Sequence, residues 1–130
     1  MILFISAGHG GIDPDTGKYT TAPSKQFYHE GEQMHDNGWF YEGVSNRAFA
    51  SDFIQQATAA GHICIPVYNT YRDTPLRTRT DMANHISSEL REPSVYLSFH
   101  SNAFQSESRG FTIFHYPGSH RSGPAGRGPN

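Results

Sequence analysis

The amino-acid sequence predicts an α/β domain, an open and mostly parallel twisted sheet with helices on both faces. Three observations carry this. The elements read strand, helix, strand, helix, strand. The opening run, residues 2 to 6, is apolar and ends at glycines, which suits a buried strand feeding a loop. Two stretches of helical apolar spacing separate the strands.

Taken in order, the segment from Ile12 to Tyr41 carries Asp13-Pro14, Gly17, Pro23, Gly31 and Asn37-Gly38 without sustained periodicity, and it predicts a long covering loop. Phe49, Phe53, Ile54, Ala57 and Ala60 recur at helical spacing, with Gly61 placed to stop a helix spanning about residues 43 to 60. His62 to Val67 follows as a strand. Thr74-Pro75 predicts a second helix start, a capping hydroxyl followed by proline, with Leu76, Ala83, Ile86 and Leu90 on one apolar face and Pro93 as terminator. Val95 to His100 alternates Val95, Leu97 and Phe99 with Tyr96, Ser98 and His100, so His100 ends a strand and points away from the apolar row. Phe111 to Tyr116 adds a fourth strand. The Gly-, Pro- and Ser-rich stretch from Ser119 to Asn130 reads as a disordered tail, which leaves residues 1–118 as the domain and 119–130 as the tail.

Composition narrows the function classes. With 130 residues the chain is one domain, monomeric by default, and its net charge of −2 comes from interspersed acids and bases. No basic stripe suggests a nucleic acid or an anionic membrane as partner. The single cysteine, Cys64, excludes an intrachain disulfide framework and a zinc ribbon, so imidazole and carboxylate would have to hold any metal. Between Ile63 and Ile65 it reads as a structural thiol. No run is long enough to insert in a membrane. The opening Met-Ile-Leu-Phe-Ile-Ser reads as a strand and not a signal peptide, an expectation that fits a protein held in the cytoplasm until cell breakage releases it.

The chemistry concentrates at two histidines. His9 follows the first strand inside Gly8-His9-Gly10-Gly11, where small neighbours let backbone and ligand approach the ring. His100 ends a later strand among Ser98, Ser101 and Asn102. One carboxylate joining them makes three protein ligands and leaves a fourth position open to water, the coordination of hydrolytic zinc. Glu42, at the start of the first helix, is preferred for that role because a regular element holds its geometry. Glu30 and Glu32 are its rivals in the loop. Asn102 could orient a substrate carbonyl or a ligand ring. Trp39, Phe40 and Tyr41 either pack the long loop or line a glycan groove. Gly11 to Lys18 lacks the spacing and the hydroxyl of a phosphate-binding loop. His29, His35, His85, His115 and His120 read as surface or hydrogen-bonded residues.

Four motifs in order resemble a known family: Ile5-Ser6-Ala7-Gly8-His9-Gly10-Gly11; Glu42 with Asn46; Leu76 with Arg79 and Ala83-Asn84; and Ser98-Phe99-His100-Ser101-Asn102-Ala103. Over about residues 2 to 116 the chain is similar to the catalytic domain of zinc-dependent N-acetylmuramoyl-L-alanine amidases. The resemblance implies a zinc ion held by His9, Glu42 and His100, and cleavage of the amide between muramic acid and the L-alanine of the peptidoglycan stem. It also implies a supporting role for Arg79 and Asn84. Two departures stand out. The stretch between His9 and Glu42 is longer than in typical members, and the family's late glutamate, its general base and acid, has no matching segment before Asn130. The sequence therefore resembles an amidase domain truncated ahead of that residue, in an endolysin-like setting. The rival reading is a catalytically impaired zinc-containing module that binds the cell wall or serves in assembly.

Overall fold

A computed structural model describes residues 1–101 and 112–114. In chain order its elements are β1 (Ile2–Ala7), β2 (Gln26–Tyr28), β3 (Trp39–Tyr41), α1 (Glu42–Ala59), β4 (Ile63–Pro66), α2 (Leu76–Leu90) and β5 (Ser94–Phe99). β4, β1 and β5 form one sheet in that order, and both pairings are parallel. The α/β prediction holds.

As the central strand, β1 is buried along its whole length, which is why its sequence is nearly all apolar instead of alternating. Its successive side chains take opposite faces. Leu3, Ile5 and Ala7 meet Ala50 and Ala57 of α1, with Phe53, Ile54, Leu97 and Phe99 packed alongside. Ile2 and Phe4 meet Ala83 of α2 and Val67, the residue after β4, with Ile65, Ile86 and Tyr96. The two helices therefore cover opposite faces. Among the described residues no helix is long and apolar enough to cross a membrane.

Several local expectations are corrected. The covering loop contains an antiparallel hairpin, β2 with β3, and an isolated bridge between Ile12 and Tyr19. Its strands are only three residues each, too short for a periodic signal, and are carried by the aromatic residues Phe27, Tyr28, Trp39 and Phe40. Thr74 does not cap α2. Its hydroxyl accepts from the Asn69 amide, and Pro75 occupies the cap position. Leu76 and Leu90 are exposed, so the buried face of α2 is narrower than its apolar spacing suggests and includes Arg79 beside Ala83. That helix stops at Leu90 because Arg91 turns left-handed, two residues before Pro93. Thr112–Phe114 hold no strand, and the rest of the expected fourth strand, like the tail from Ser119, lies outside the described residues.

Gly43 shows how closely α1 is seated. A methyl group there would overlap the Gly10 carbonyl of the loop after β1. Helix propensity alone would favour alanine by about 1 kcal/mol, yet the backbone contact forbids it. Gly43→Ala should lower the urea midpoint by the equivalent of about 1–3 kcal/mol at an unchanged slope, the usual cost of overpacking. A midpoint that stays or rises contradicts this packing.

Candidate metal centre

Parallel register builds the site. Ala7 lies beside Phe99, and the Gly8 amide extends the ladder by donating to the Phe99 carbonyl at 2.9 Å. His9 and His100 therefore leave neighbouring strands at the carboxyl edge of the sheet, where parallel sheets place their ligands. Glu42, the first residue of α1, reaches the same edge. Only a glycine fits at position 8, since a Cβ would run into the His100 ring.

The Glu42 carboxylate is the hub. Its Oε1 lies 3.3 Å from His9 Nε2 and 3.2 Å from His100 Nδ1, and the two rings stand edge to face with centroids 5.2 Å apart. The same oxygen is 3.2 Å from the Ser101 amide and 3.4 Å from Asn46 Nδ2. Asn46 also donates to the Gly8 carbonyl and accepts from the Ser101 hydroxyl, so it links all three segments. One donor atom from each of His9, Glu42 and His100 falls within 4.8 Å of the others, a group that could hold a metal ion. Glu30 and Glu32 are exposed on the hairpin side and do not join it. Asn102, His115 and His120 lie outside the described residues.

The family of N-acetylmuramoyl-L-alanine amidases matches residues 3–125. The chain belongs to that family. No curated protein and no solved structure matches it.

In this amidase-family chain the backbone of His9 is left-handed, with φ of 61°, a conformation that non-glycine residues adopt at a cost of about 1–2 kcal/mol. Two guanidinium groups hold it there. Arg47 Nη1 and Arg79 Nη2 donate to the His9 carbonyl at 2.9 and 3.2 Å. Arg79, 3% exposed, further donates to the Ala7 carbonyl and the Ser6 hydroxyl, which agrees with a supporting role. Asn84, by contrast, is exposed on α2. Arg47 also binds the carbonyls of Gly43, Asn69, Thr70 and Arg72, tying the loop after β4 to both α1 and His9. Sequence reasoning missed Arg47. Within an amphipathic helix an arginine reads as part of the solvated face, and only its single-turn offset from Gly43 hints otherwise.

The first turn of α1 has no side-chain cap of its own, and residues of the long segment supply partners for its amides. The Glu42 amide donates to the Lys25 carbonyl at 3.0 Å, and the Gly43 amide donates to the Tyr19 hydroxyl at 3.1 Å. Burial raises the Tyr19 pKa and keeps that phenol neutral. Trp39, Phe40 and Tyr41 divide their work. Tyr41 is buried and stacks on Tyr19 at 4.5 Å, Trp39 packs against Tyr28, and Phe40 lines an open cleft beside Glu42 and His100.

Burial is the main cause that lowers the His9 pKa, with His100 and Lys25 adding to it against the opposing pull of Glu42. His35, whose Nδ1 accepts from the Tyr41 amide, is lowered by burial too. Both rings are thus favoured in their neutral, metal-competent form. As pH falls below the ordinary histidine value of 6.5, the unfolded chain takes up more protons than the folded one, so stability is full above that value and declines below it. With chelator present, the urea midpoint should be lower at about pH 5.5 than at about pH 7.5. His9→Asn, which tolerates positive φ, should narrow the gap. A higher midpoint in acid contradicts this. Arg47→Met should cost about 2–3 kcal/mol by freeing several carbonyls from one charged donor, measured by the same titration at pH 7.5. A loss below about 0.5 kcal/mol, the scale of an ordinary surface change, would show that the tether carries little.

Proposed function

We propose that this chain is a zinc-dependent N-acetylmuramoyl-L-alanine amidase that hydrolyses the amide between N-acetylmuramic acid and the L-alanine of peptidoglycan, with His9, Glu42 and His100 holding the ion. The observation that carries this reading is the spacing around Glu42 Oε1. Four nitrogens crowd that oxygen at 3.2–3.4 Å, all longer than the roughly 2.7–2.9 Å of a good charge-assisted hydrogen bond. In a tetrahedral zinc site with bonds of about 2.0–2.2 Å, ligand atoms stand about 3.3 Å apart. The two histidine contacts match that separation.

When bound, zinc supplies Lewis acidity, polarising a carbonyl and lowering the pKa of water to about 7. The chain's own residues do the positioning. Asn46 and Ser101 fix the Glu42 carboxylate, and Arg47 with Arg79 fixes His9. The cleft of about 490 Å³ beside Glu42 and His100 gives the scissile amide access from solvent. Asn102, two residues after His100, is proposed to orient the substrate carbonyl.

Mass spectrometry of digested peptidoglycan tests the proposal. Free stem peptides should appear, vanish with chelator and return with zinc. His100→Ala should weaken zinc binding by more than about 100-fold, at or above the loss caused by removing an outer-shell partner. Muropeptides that stay intact at every metal level, even if the protein pulls down with cell wall, would overturn hydrolysis.

A further inference from the structure

Two aromatic rings of the hairpin, Phe27 of β2 and Phe40 of β3, line the cleft that Glu42, His100 and Ser101 also line. We infer that Phe27 and Phe40 form a sugar-stacking platform that binds the pyranose ring on the muramoyl side of the scissile amide. The inference deepens the amidase reading, on which the identity of this sugar rests.

The hairpin register builds the platform. Phe27 and Phe40 are direct cross-strand partners, which puts both side chains on one face with Cβ atoms about 5 Å apart. Their strand neighbours take the other face, where Tyr41 is buried against Tyr19 and Trp39 packs on Tyr28. Adjacent rings restrict where the two phenyl groups can go. His35 stacks on Phe40 with centroids 5.1 Å apart, and its Nδ1 accepts from the Tyr41 amide at 2.8 Å, which pins the imidazole. Phe27 lies against His29 at 4.5 Å. Even so, Phe27 is 58% exposed. An apolar ring held at a cleft without being buried in the fold has a face left for a ligand.

Chemistry selects the sugar over the peptide. Phe40 precedes Glu42 by two residues, so the platform starts within about 7 Å of that ligand's backbone. In the proposed substrate only a short ether-linked lactyl unit lies between the reacting carbonyl and the sugar ring, so a carbonyl held at the centre brings a pyranose to the cleft wall. Phenyl faces carry partial negative charge and no hydrogen-bonding group. A pyranose turns weakly positive C–H groups outward from its flat faces and keeps its hydroxyl and acetamido groups at the rim, so it can cover a ring while those polar groups stay in water. A peptide laid on the same rings would press main-chain amides against bare carbon, which costs free energy unless partners are found.

An NMR titration of the zinc-loaded full chain with chitotetraose, a peptide-free β-linked N-acetylglucosamine oligomer that lacks the scissile bond, tests the inference. The wild type should show saturable binding. Phe27→Ala and Phe27→Leu should each weaken it about fivefold, the scale of one aromatic face contact, while Phe27→Trp keeps it. Leucine retains apolar bulk, so its loss of affinity separates stacking on a ring face from general apolar cover. Urea midpoints equal to the wild type confirm that the variants fold, and should the alanine variant unfold, the leucine variant decides. No saturable binding by the wild type, or undiminished affinity in the leucine variant, overturns the inference. So does a loss of affinity for an N-acetylated stem peptide with chitotetraose binding unaffected, which would give the wall to the peptide. Glycan binding through Phe27 without release of stem peptides from peptidoglycan would count against hydrolysis and leave the platform standing.

Discussion

A buried carboxylate is the constraint around which this molecule is arranged. Glu42 is 8% exposed, and a carboxylate taken from water is costly unless donors surround it. The groups that reach it come from three parts of the chain: His9 after β1, His100 and Ser101 after β5, and Asn46 one turn along α1. The position at the start of a helix adds a favourable dipole. Satisfying one oxygen thus fixes the mutual placement of two strand ends and a helix N-terminus. The sheet register brings the histidines abreast, but the carboxylate makes their closeness useful.

A second layer holds the first. His9 leaves β1 in a left-handed turn, and the Arg47 and Arg79 guanidinium groups approach its carbonyl from α1 and α2. The two helices lie on opposite faces of the sheet and do not share a core cluster. They are coupled through the backbone of a single candidate ligand. Burial lowers the pKa of both arginines, though a guanidinium has ample margin to stay charged at neutral pH. A charged donor is well suited to this task because it binds several carbonyls at once and rigidifies the turn without a covalent link.

Much of this was legible in the sequence, for reasons that differ by element. β1 announced itself because a central parallel strand must be apolar on both faces, and α1 because Phe53, Ile54 and Ala57 recur at helical spacing and pack on the sheet, although Phe49 and Ala60 of the same expected face are exposed. The juxtaposition of His9, Glu42 and His100, a group that could hold a metal ion, was readable because each residue ends or begins a regular element. What escaped were interactions that leave no period. Arg47 looks like any solvated helical arginine until the loop after β4 folds over it. The hairpin strands are three residues long, below the length at which alternation can be recognised. Leu76 and Leu90 carry the right spacing and are nevertheless exposed, because a helix can be amphipathic over more length than its neighbours cover.

The long segment between His9 and Glu42 is where sequence and structure differ most in meaning. Read as a chain of turns, it is an insertion. In the fold it supplies the cap that α1 lacks, through the Tyr19 hydroxyl and the Lys25 carbonyl. Thr20 and Thr21 lock the glycines after His9, Thr20 Oγ1 binding the Gly11 and Tyr71 carbonyls and Thr21 Oγ1 accepting from the Gly10 amide. These anchors fall between Tyr19 and Lys25, ahead of the hairpin. Loop-closure entropy rises only slowly with length, so the hairpin beyond them can vary in size at small energetic cost while the anchors cannot move. The extra length and the well-defined site are therefore compatible: residues 19 to 25, with Tyr41 stacked on Tyr19, complete the helix terminus that bears Glu42, and the hairpin contributes Gln26, Phe27 and Phe40 to the cleft wall.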